Sequence, residues 1–225
     1  MAIILSIETA TTNCSVSLSK NGETLLLKED YSSNYSHAER LHVFIDETLR
    51  EANIERHQLD AIAVSKGPGS YTGLRIGVSA AKGLCYALDI PLISVSTLEA
   101  LAHQVKAESG LIIPMLDARR MEVYSAIFSS ELKEIRKIEA QILDETSFKA
   151  ELLKGKVSFI GNGVEKTKEI INNENAIFVE GKLPSAKEMS ALAFSKYKKS
   201  DTEDVAYFEP YYLKDFIALK PKPKK

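Results

Sequence analysis

The stretch that most constrains the fold is Lys66 to Leu88, KGPGSYTGLRIGVSAAKGLCYAL, which runs from an apolar strand through a glycine and proline loop into a helix. The helix, predicted over 73–88, contains three glycines, and each costs roughly 1 kcal/mol of helix stability relative to alanine. Two explanations compete for them. Either backbone amides approach a ligand, or a face that includes Gly73 and Gly77 packs closely against another element.

The loop at 66–72 is a candidate anion site, because amides at a helix N-terminus bind phosphate. However, its spacing does not match G-x-x-x-x-G-K-[ST], and Lys66 precedes the glycines instead of following them. Arg75 is a second candidate phosphate contact. Alternatively, its guanidinium is simply solvated or forms an ion pair. The small residues of the helix favour interhelical contact, either with a second subunit or within the chain, against the 37–52 helix or the sheet.

The order of elements repeats along the chain. Each half is predicted as three strands, then helix, strand, helix, strand and helix. An acid ends the first strand of each half, Glu8 and Asp117, and a glycine loop follows each fourth strand, at 67–69 and 161–163. This duplication predicts an α/β fold of two lobes, 1–108 and 109–225, each a mixed sheet covered by helices.

Composition and charge exclude several classes. The net charge of -2 argues against a direct, electrostatic nucleic-acid binder. No stretch approaches 18 apolar residues, so we expect a cytoplasmic protein with no membrane partner. Cys14 and Cys85 are predicted to be small core residues. A basic tail carries Lys220, Lys222, Lys224 and Lys225; it is either a solubilising end or a phosphate contact.

The first helix is predicted to begin at a capping box formed by Ser36 and Glu39. It carries His37 and His42, which point about 140° apart at 100° per residue and cannot share an ion. Leu41, which would complete an i, i+4 pair with His37, belongs to the core stripe. We therefore expect surface histidines and no metal site.

Element order and duplication resemble the actin, sugar-kinase and heat-shock ATPase superfamily, whose unit is the ribonuclease H-like fold. Within it, four segments closely resemble the bacterial TsaB (YeaZ) family. These are ILSIETATTNCSVSL near the start, SHAERL at 36–41, KGPGSYTGLRIGVSAAKGL at 66–84 and PMLDARRMEVYSAIF at 114–128. The late segment Glu209-Pro210-Tyr211-Tyr212-Leu213 also resembles the family's C-terminal pattern.

The resemblance implies a role in making threonylcarbamoyladenosine in tRNA. The chain would be a non-catalytic partner of a TsaD-type transferase and a TsaE-type ATPase, a homodimer when alone, and in contact with tRNA only through the complex. No cofactor is required, while ATP or ADP at a partner interface stays open. The alternative is an ATP-dependent transferase or kinase that uses the two acids and the glycine loops.

Two sets of candidate site residues follow. The turns at 9–13 and 118–120 lack glycine, which weakens a phosphate grip, and the loop at 161–163 has a tight strand-to-helix turn as its favoured alternative. Candidate nucleotide or anion contacts are Glu8, Thr11, Thr12, Lys66, Gly67, Ser70, Arg75, Asp117, Arg119, Gly161 and Gly163. The predicted partner interface is Leu41, Phe44, Ile45, Gly73, Leu74, Gly77, Ala80 and Ala81.

Overall fold

The computed structural model describes residues 1–31 and 36–214. The first half contains β1 (Ile3–Glu8), β2 (Cys14–Lys20), β3 (Glu23–Asp30), α1 (His37–Glu51), β4 (Ala61–Ser65), α2 (Tyr71–Leu88), β5 (Leu92–Val95) and α3 (Thr97–Ala102). The second half contains β6 (Leu111–Asp117), β7 (Glu122–Ser129), β8 (Glu134–Ile142), α4 (Lys149–Leu152), β9 (Val157–Ile160), α5 (Val164–Ile170), β10 (Ala176–Val179) and α6 (Ala186–Lys198).

Each half forms a five-stranded mixed sheet. The strand orders are β3-β2-β1-β4-β5 and β8-β7-β6-β9-β10, so corresponding strands occupy corresponding places. In each sheet the first three strands are antiparallel and the remaining two are parallel to the first. The predicted α/β class, the element order and the duplication are confirmed.

Most predicted boundaries fall within two residues of the observed ones, and two helices are exceptions. The helix predicted over 146–153 covers only Lys149–Leu152. The Asp144 side chain accepts hydrogen bonds from the backbone and hydroxyl of Thr146, which holds a turn where the helix would start. Phe148 then adopts a left-handed conformation, with φ 59°. The helix predicted to run to about Glu108 ends at Ala102.

The prediction of a capping box at the start of α1 is wrong, because the capping hydrogen bond from the Ser36 side chain is not formed. Ser36 does occupy the N-cap position, but its side chain makes no capping bond. Its hydroxyl donates instead to Asp30 Oδ2 at 2.8 Å. The end of β3 therefore holds the start of α1 through a contact between side chains.

The last helix of each half packs on the sheet of the other half. Leu98 and Leu101 of α3 share a core cluster with Ile112 of the second sheet. Met189 of α6 packs with Ile4 of the first sheet. The predicted boundary at 108/109 lies between the two sheets in the sequence, but the helices on either side of it join both halves into one packed unit.

Polar groups also hold α6 on the first sheet. Ser17 Oγ donates to the carbonyl of Ala186 at 2.7 Å, and Asn13 Nδ2 donates to the carbonyl of Pro184 at 2.9 Å. Both side chains are completely buried: Ser17 lies in β2, and Asn13 directly precedes it. Because buried donors need acceptors, these bonds define where the helix lies along the sheet.

The chain after α6 returns to the first half and runs beside α2. Lys82 Nζ donates to the carbonyls of Ala206 and Phe208 at 3.1 and 3.0 Å, and the Tyr211 amide donates to the carbonyl of Lys66 at 2.7 Å. Cys14 and Cys85 are buried in the first core, as predicted. Among the described residues, no helix combines the length and apolar composition needed to cross a membrane. The basic tail at 220–225 lies outside the described residues.

Candidate functional site

The loop before α2 uses its polar groups inside the chain. The Ser70 amide donates to the carbonyl of Ala10 at 2.7 Å, and the Ser70 hydroxyl accepts from the Gly73 amide at 3.3 Å as the N-cap of α2. A Cβ at Gly69 would lie 2.5 Å from the same Ala10 oxygen, and one at Gly67 would lie 2.8 Å from the oxygen of Tyr211. The glycines therefore permit close backbone packing, and Ser70 does not present its amide to an anion.

Gly73 and Gly77 contact the turn between β1 and β2. A Cβ at Gly73 would lie 2.2 Å from the Thr9 oxygen, and one at Gly77 would lie 2.3 Å from Thr9 Oγ1. That hydroxyl donates to the carbonyl of Gly73 at 2.8 Å. The predicted close contact is real, but its partner is the chain's own turn. The prediction that these two glycines contact a second subunit is wrong.

The other residues predicted at the partner interface also face inward, with one exception. Those of α1, together with Ala81 of α2, belong to the core cluster of the first sheet, and Leu74 is buried as well. Ala80 alone is half-buried instead of buried. The remaining ones, whose prediction as partner contacts is wrong, are Leu41 at 0%, Phe44 at 8%, Ile45 at 3%, Leu74 at 1% and Ala81 at 0% exposure.

The outer sides of α1 and α2 form an open groove of about 720 Å³. At Gly83 the groove is empty enough that an added Cβ would have no other part of the chain within 4 Å. Apart from Ala80, which lines the groove, the interface residues predicted on α2 lie on its inward side, because both sides of the helix show i, i+3, i+4 spacing of small residues. The groove is lined by His42, Tyr71, Thr72, Arg75, Ile76, Ser79, Ala80, Gly83 and Leu84.

Arg75 lies at the Tyr71 end of this groove. Its guanidinium donates to the Tyr71 hydroxyl at 2.7 Å and lies 5.4 Å from the centre of the Tyr71 ring. Tyr71 in turn packs on Tyr212, with ring centres 5.0 Å apart. Aromatic rings and arginine are enriched at protein interfaces. Arg75 thus lines the groove, and its described contacts are with Tyr71.

Glu8 ends β1 as predicted and is completely buried. Its Oε1 accepts from the Ala10 amide at 2.6 Å and from the Ser65 hydroxyl at 2.8 Å. Burial raises the pKa of Glu8 to about 7, against the opposing effect of these hydrogen bonds. A carboxyl group so enclosed serves the packing of β1 against β4.

Glu8 makes the stability of the chain depend on pH. Its pKa in the folded chain, about 7, lies above the ordinary 4.5, so the folded chain holds the proton more tightly. The free energy of unfolding therefore falls as the pH rises from 4.5 to 7 and stays lower above 7, by on the order of 3 kcal/mol. Urea unfolding should show this fall in the wild type and lose it in Glu8→Gln. The exposed Glu23→Gln should keep the wild-type slope, and a slope unchanged in Glu8→Gln would contradict this account.

The turn at 9–13 is held by α1. The carbonyl of Thr11 accepts a hydrogen bond from His37 Nε2 at 2.7 Å, and both residues are buried. The prediction of a surface histidine is wrong for His37, because its ring lies under the turn, and burial lowers its pKa. His42 is exposed, as predicted, and Thr12 is half-buried.

Asp117 ends β6 and forms an ion pair that the sequence does not reveal. Lys166 Nζ donates to Asp117 Oδ1 at 2.6 Å and to the carbonyls of Arg120 and Glu122 at 2.9 and 2.5 Å. Arg119 adopts a left-handed conformation, with φ 68°, and its amide also donates to Asp117 Oδ1. The Lys166 ammonium therefore takes the place beside Asp117 where a bound cation would lie.

Removal of this ammonium should destabilise the turn after β6. Lys166→Met leaves two carbonyls and a carboxylate without their shared donor, and we expect a loss of about 1–2 kcal/mol in the free energy of unfolding. Lys168→Met, which removes an exposed pair with Glu180, should cost about 0.5 kcal/mol or less. Equal losses in the two variants, measured by urea unfolding, would contradict the role given to Lys166.

The loop at 161–163 is a tight strand-to-helix turn, which is the alternative that the sequence favoured. Gly161 has φ 113°, and a Cβ there would lie 2.1 Å from the Met115 oxygen. A Cβ at Gly163 would lie 2.9 Å from the Val123 side chain. Asn162 Oδ1 accepts from the Asp117 amide at 2.9 Å. The loop thus packs closely on β6.

These contacts do not fit a magnesium nucleotide held between the two acids. Glu8 is enclosed, and Asp117 is paired with Lys166. Over residues 1–31 and 36–214, no group of three or more histidine, cysteine or acidic side chains could hold a metal ion. Lys66, also predicted as an anion contact, lines a separate cavity that is described below.

Comparison with known proteins identifies the family. The family model described as TsaD, tRNA N6-adenosine threonylcarbamoyltransferase, matches residues 32–222. A protein named tRNA threonylcarbamoyladenosine biosynthesis protein TsaB, from Escherichia coli K12, is 30% identical over 230 residues, which cover 99% of both chains. The chain belongs to the TsaB family. The TsaB of Bacillus subtilis 168 is 32% identical over 94% of this chain and 93% of its own length.

A solved structure agrees with this assignment. YeaZ from Pseudomonas aeruginosa superimposes with a TM-score of 0.82 at 26% identity, over 95% of this TsaB-family chain and 100% of its own. The two tandem ribonuclease H-like lobes expected from the family resemblance are therefore confirmed. Because the match covers almost the whole chain, helices α3 and α6, each of which packs on the sheet of the other half, lie within the region shared with that structure.

Proposed function

We propose that this TsaB-family chain acts in threonylcarbamoyladenosine formation in tRNA, as a non-catalytic subunit that binds and supports a TsaD-type transferase. The observation that carries the proposal is the open groove on α1 and α2. Its apolar floor, which includes Ile76 and Leu84, is rimmed by an aromatic ring and an arginine, as is common in protein interfaces. A TsaD-type enzyme is a partner of suitable shape, because the TsaD family model matches most of this chain.

The same groove accounts for the other expected partners. Alone, the chain would pair with a second copy through α1 and α2, since in a two-fold pair each copy offers the same apolar groove to the other. A TsaE-type ATPase would join the assembled pair, and tRNA would be contacted through the complex. A cytoplasmic location follows from this role in tRNA modification.

Sedimentation of the chain mixed with a TsaD-type transferase tests the binding step. We expect a one-to-one complex that replaces the self-associated form of the chain as transferase is added, because both species use the groove. Two separate boundaries at micromolar concentrations of both proteins would overturn the proposal. So would a complex that leaves the self-associated form of the chain intact.

An enzyme that uses ATP on its own is the alternative, and the described contacts disfavour it. Glu8 and Asp117 are both engaged within the chain. Calorimetric titration with Mg-ATP should therefore give no binding heat for the lone chain. Phosphate release that is abolished by Asp117→Ala would establish the alternative. A nucleotide at the partner interface is a separate proposal, tested by the same titration of the complex.

A further inference from the structure

A second cavity, of about 320 Å³, lies between the two halves. Its walls come from distant parts of the chain: the loops after β4 and β5, helix α3, strand β7, the β7–β8 hairpin and the C-terminal segment. Lys66, Ser96, Glu99 and Tyr211 line it from one side, and Phe128 with the hairpin lines the other. The volume lies at the small end of the range for ligand pockets in proteins.

Four charged side chains around this cavity have no close partner. Lys66 and Glu99 come from the first half, and Glu134 and Lys137 come from β8. Within the described part of the chain, none of the four side chains makes a hydrogen bond or an ion pair. A charge without a partner is costly where it is half-buried, as Lys66 and Glu99 are, whereas Glu134 and Lys137 are exposed. Two ammoniums and two carboxylates therefore border one cavity with their hydrogen-bonding capacity available.

The Glu99 carboxylate is one of the two half-buried charged groups. Burial raises its pKa, and the Glu134 carboxylate adds to the rise, against the opposing effects of Lys196 and Lys66. Those lysines act on Glu99 without forming an ion pair with it. A cation placed between Glu99 and Glu134 would relieve both the burial cost and the repulsion.

The remaining wall is apolar. Phe128 is 4% exposed, and Ile138 and Leu132 are partly buried beside it. Leu132 lines the cavity although its backbone is left-handed, with φ 63°. That conformation costs roughly 1 kcal/mol or more for a residue with a Cβ, and glycine or asparagine would relieve it. A leucine at the hairpin tip thus provides apolar surface where local backbone preference favours another residue.

We propose that this cavity binds a zwitterionic small molecule with an apolar side chain, namely an amino acid or a dipeptide. Glu99 and Glu134 receive its ammonium group, and Lys66 and Lys137 receive its carboxylate. Its side chain packs on Phe128, Leu132 and Ile138. This site is independent of the α1–α2 groove, which shares none of these residues.

The test uses the full chain, labelled with nitrogen-15, and follows its backbone amide signals by NMR. L-leucine, L-methionine and L-phenylalanine are titrated separately. We expect saturable shifts at Ser96, Glu99 and Leu132 with dissociation constants of about 1 mM. Leucinamide lacks the carboxylate and N-acetyl-leucine lacks the ammonium, so each should bind at least about tenfold more weakly than leucine.

A variant pair tests the role of Glu99. Glu99→Gln should weaken leucine binding about tenfold or more, while Glu131→Gln, in the same hairpin but outside the cavity, should leave it unchanged. The proposal is overturned if none of the three amino acids gives saturable shifts at these amides. It is also overturned if either analogue binds as tightly as leucine, which is measured on the wild-type chain and does not depend on how the variants fold.

Discussion

Gly73→Ala should lower the free energy of unfolding by about 3 kcal/mol or more, whereas Gly83→Ala should raise it by about 0.5–1 kcal/mol. Both glycines lie in α2, and alanine improves the helix propensity equally at either place. At Gly73 the new Cβ would lie 2.2 Å from the Thr9 oxygen, so the helix and the buried turn must separate. At Gly83 the new Cβ meets nothing.

Urea unfolding, at a protein concentration at which sedimentation shows a monomer, measures the difference between the two variants. In Gly77→Ala the new Cβ would lie 2.3 Å from Thr9 Oγ1, so this variant should lose about as much stability as Gly73→Ala. It should also lose the hydrogen bond from the Thr9 hydroxyl to the Gly73 carbonyl. If Gly73→Ala and Gly83→Ala changed stability in the same direction, α2 would not pack on the turn as described. The glycines at 73 and 77 would then be free for another contact.

Gly83→Arg should leave the chain folded and weaken its complex with a TsaD-type transferase by about 100-fold or more. Arginine is a strong helix former, and the position has no other part of the chain within 4 Å. In the complex, the long charged side chain would occupy the groove that the partner must fill. A loss of this size corresponds to about 2.7 kcal/mol, which is typical of a central interface residue.

Two controls accompany this variant. Ala191→Arg adds the same charge on an exposed position of α6, away from the groove, and should bind like the wild type. Gly83→Ala tests whether the size of the side chain matters and should bind with an intermediate affinity. Undiminished binding by Gly83→Arg, in a chain whose unfolding curve is at least as stable as that of the wild type, would place the partner elsewhere.

Local sequence patterns were sufficient to predict the fold. The order of strands and helices predicted for each half is the observed one, because glycines, turn residues and changes of period mark where the elements end. The packing of α3 on the second sheet and of α6 on the first sheet was not predictable. A small apolar helix face, such as that of Ala186 and Ala193, fits either sheet, and only the three-dimensional arrangement decides between them.

The candidate site was predictable in position but not in environment. Glu8 and Asp117 end corresponding strands as expected, yet one is buried and the other is paired with a lysine 49 residues away. No local pattern connects Asp117 with Lys166. For α2, the spacing correctly indicated a close contact but did not show which side faced the core, since both sides carry small residues.

Threonylcarbamoyladenosine formation on tRNA tests the central claim most directly. A TsaD-type transferase, a TsaE-type ATPase and an adenylate-forming enzyme are combined without this chain, with it, or with its Glu8→Gln/Asp117→Asn double variant. A non-catalytic partner predicts modified tRNA only when the chain is present, and full restoration by the double variant. Undiminished modification without the chain would contradict the account. So would lost modification with a double variant that still binds the transferase.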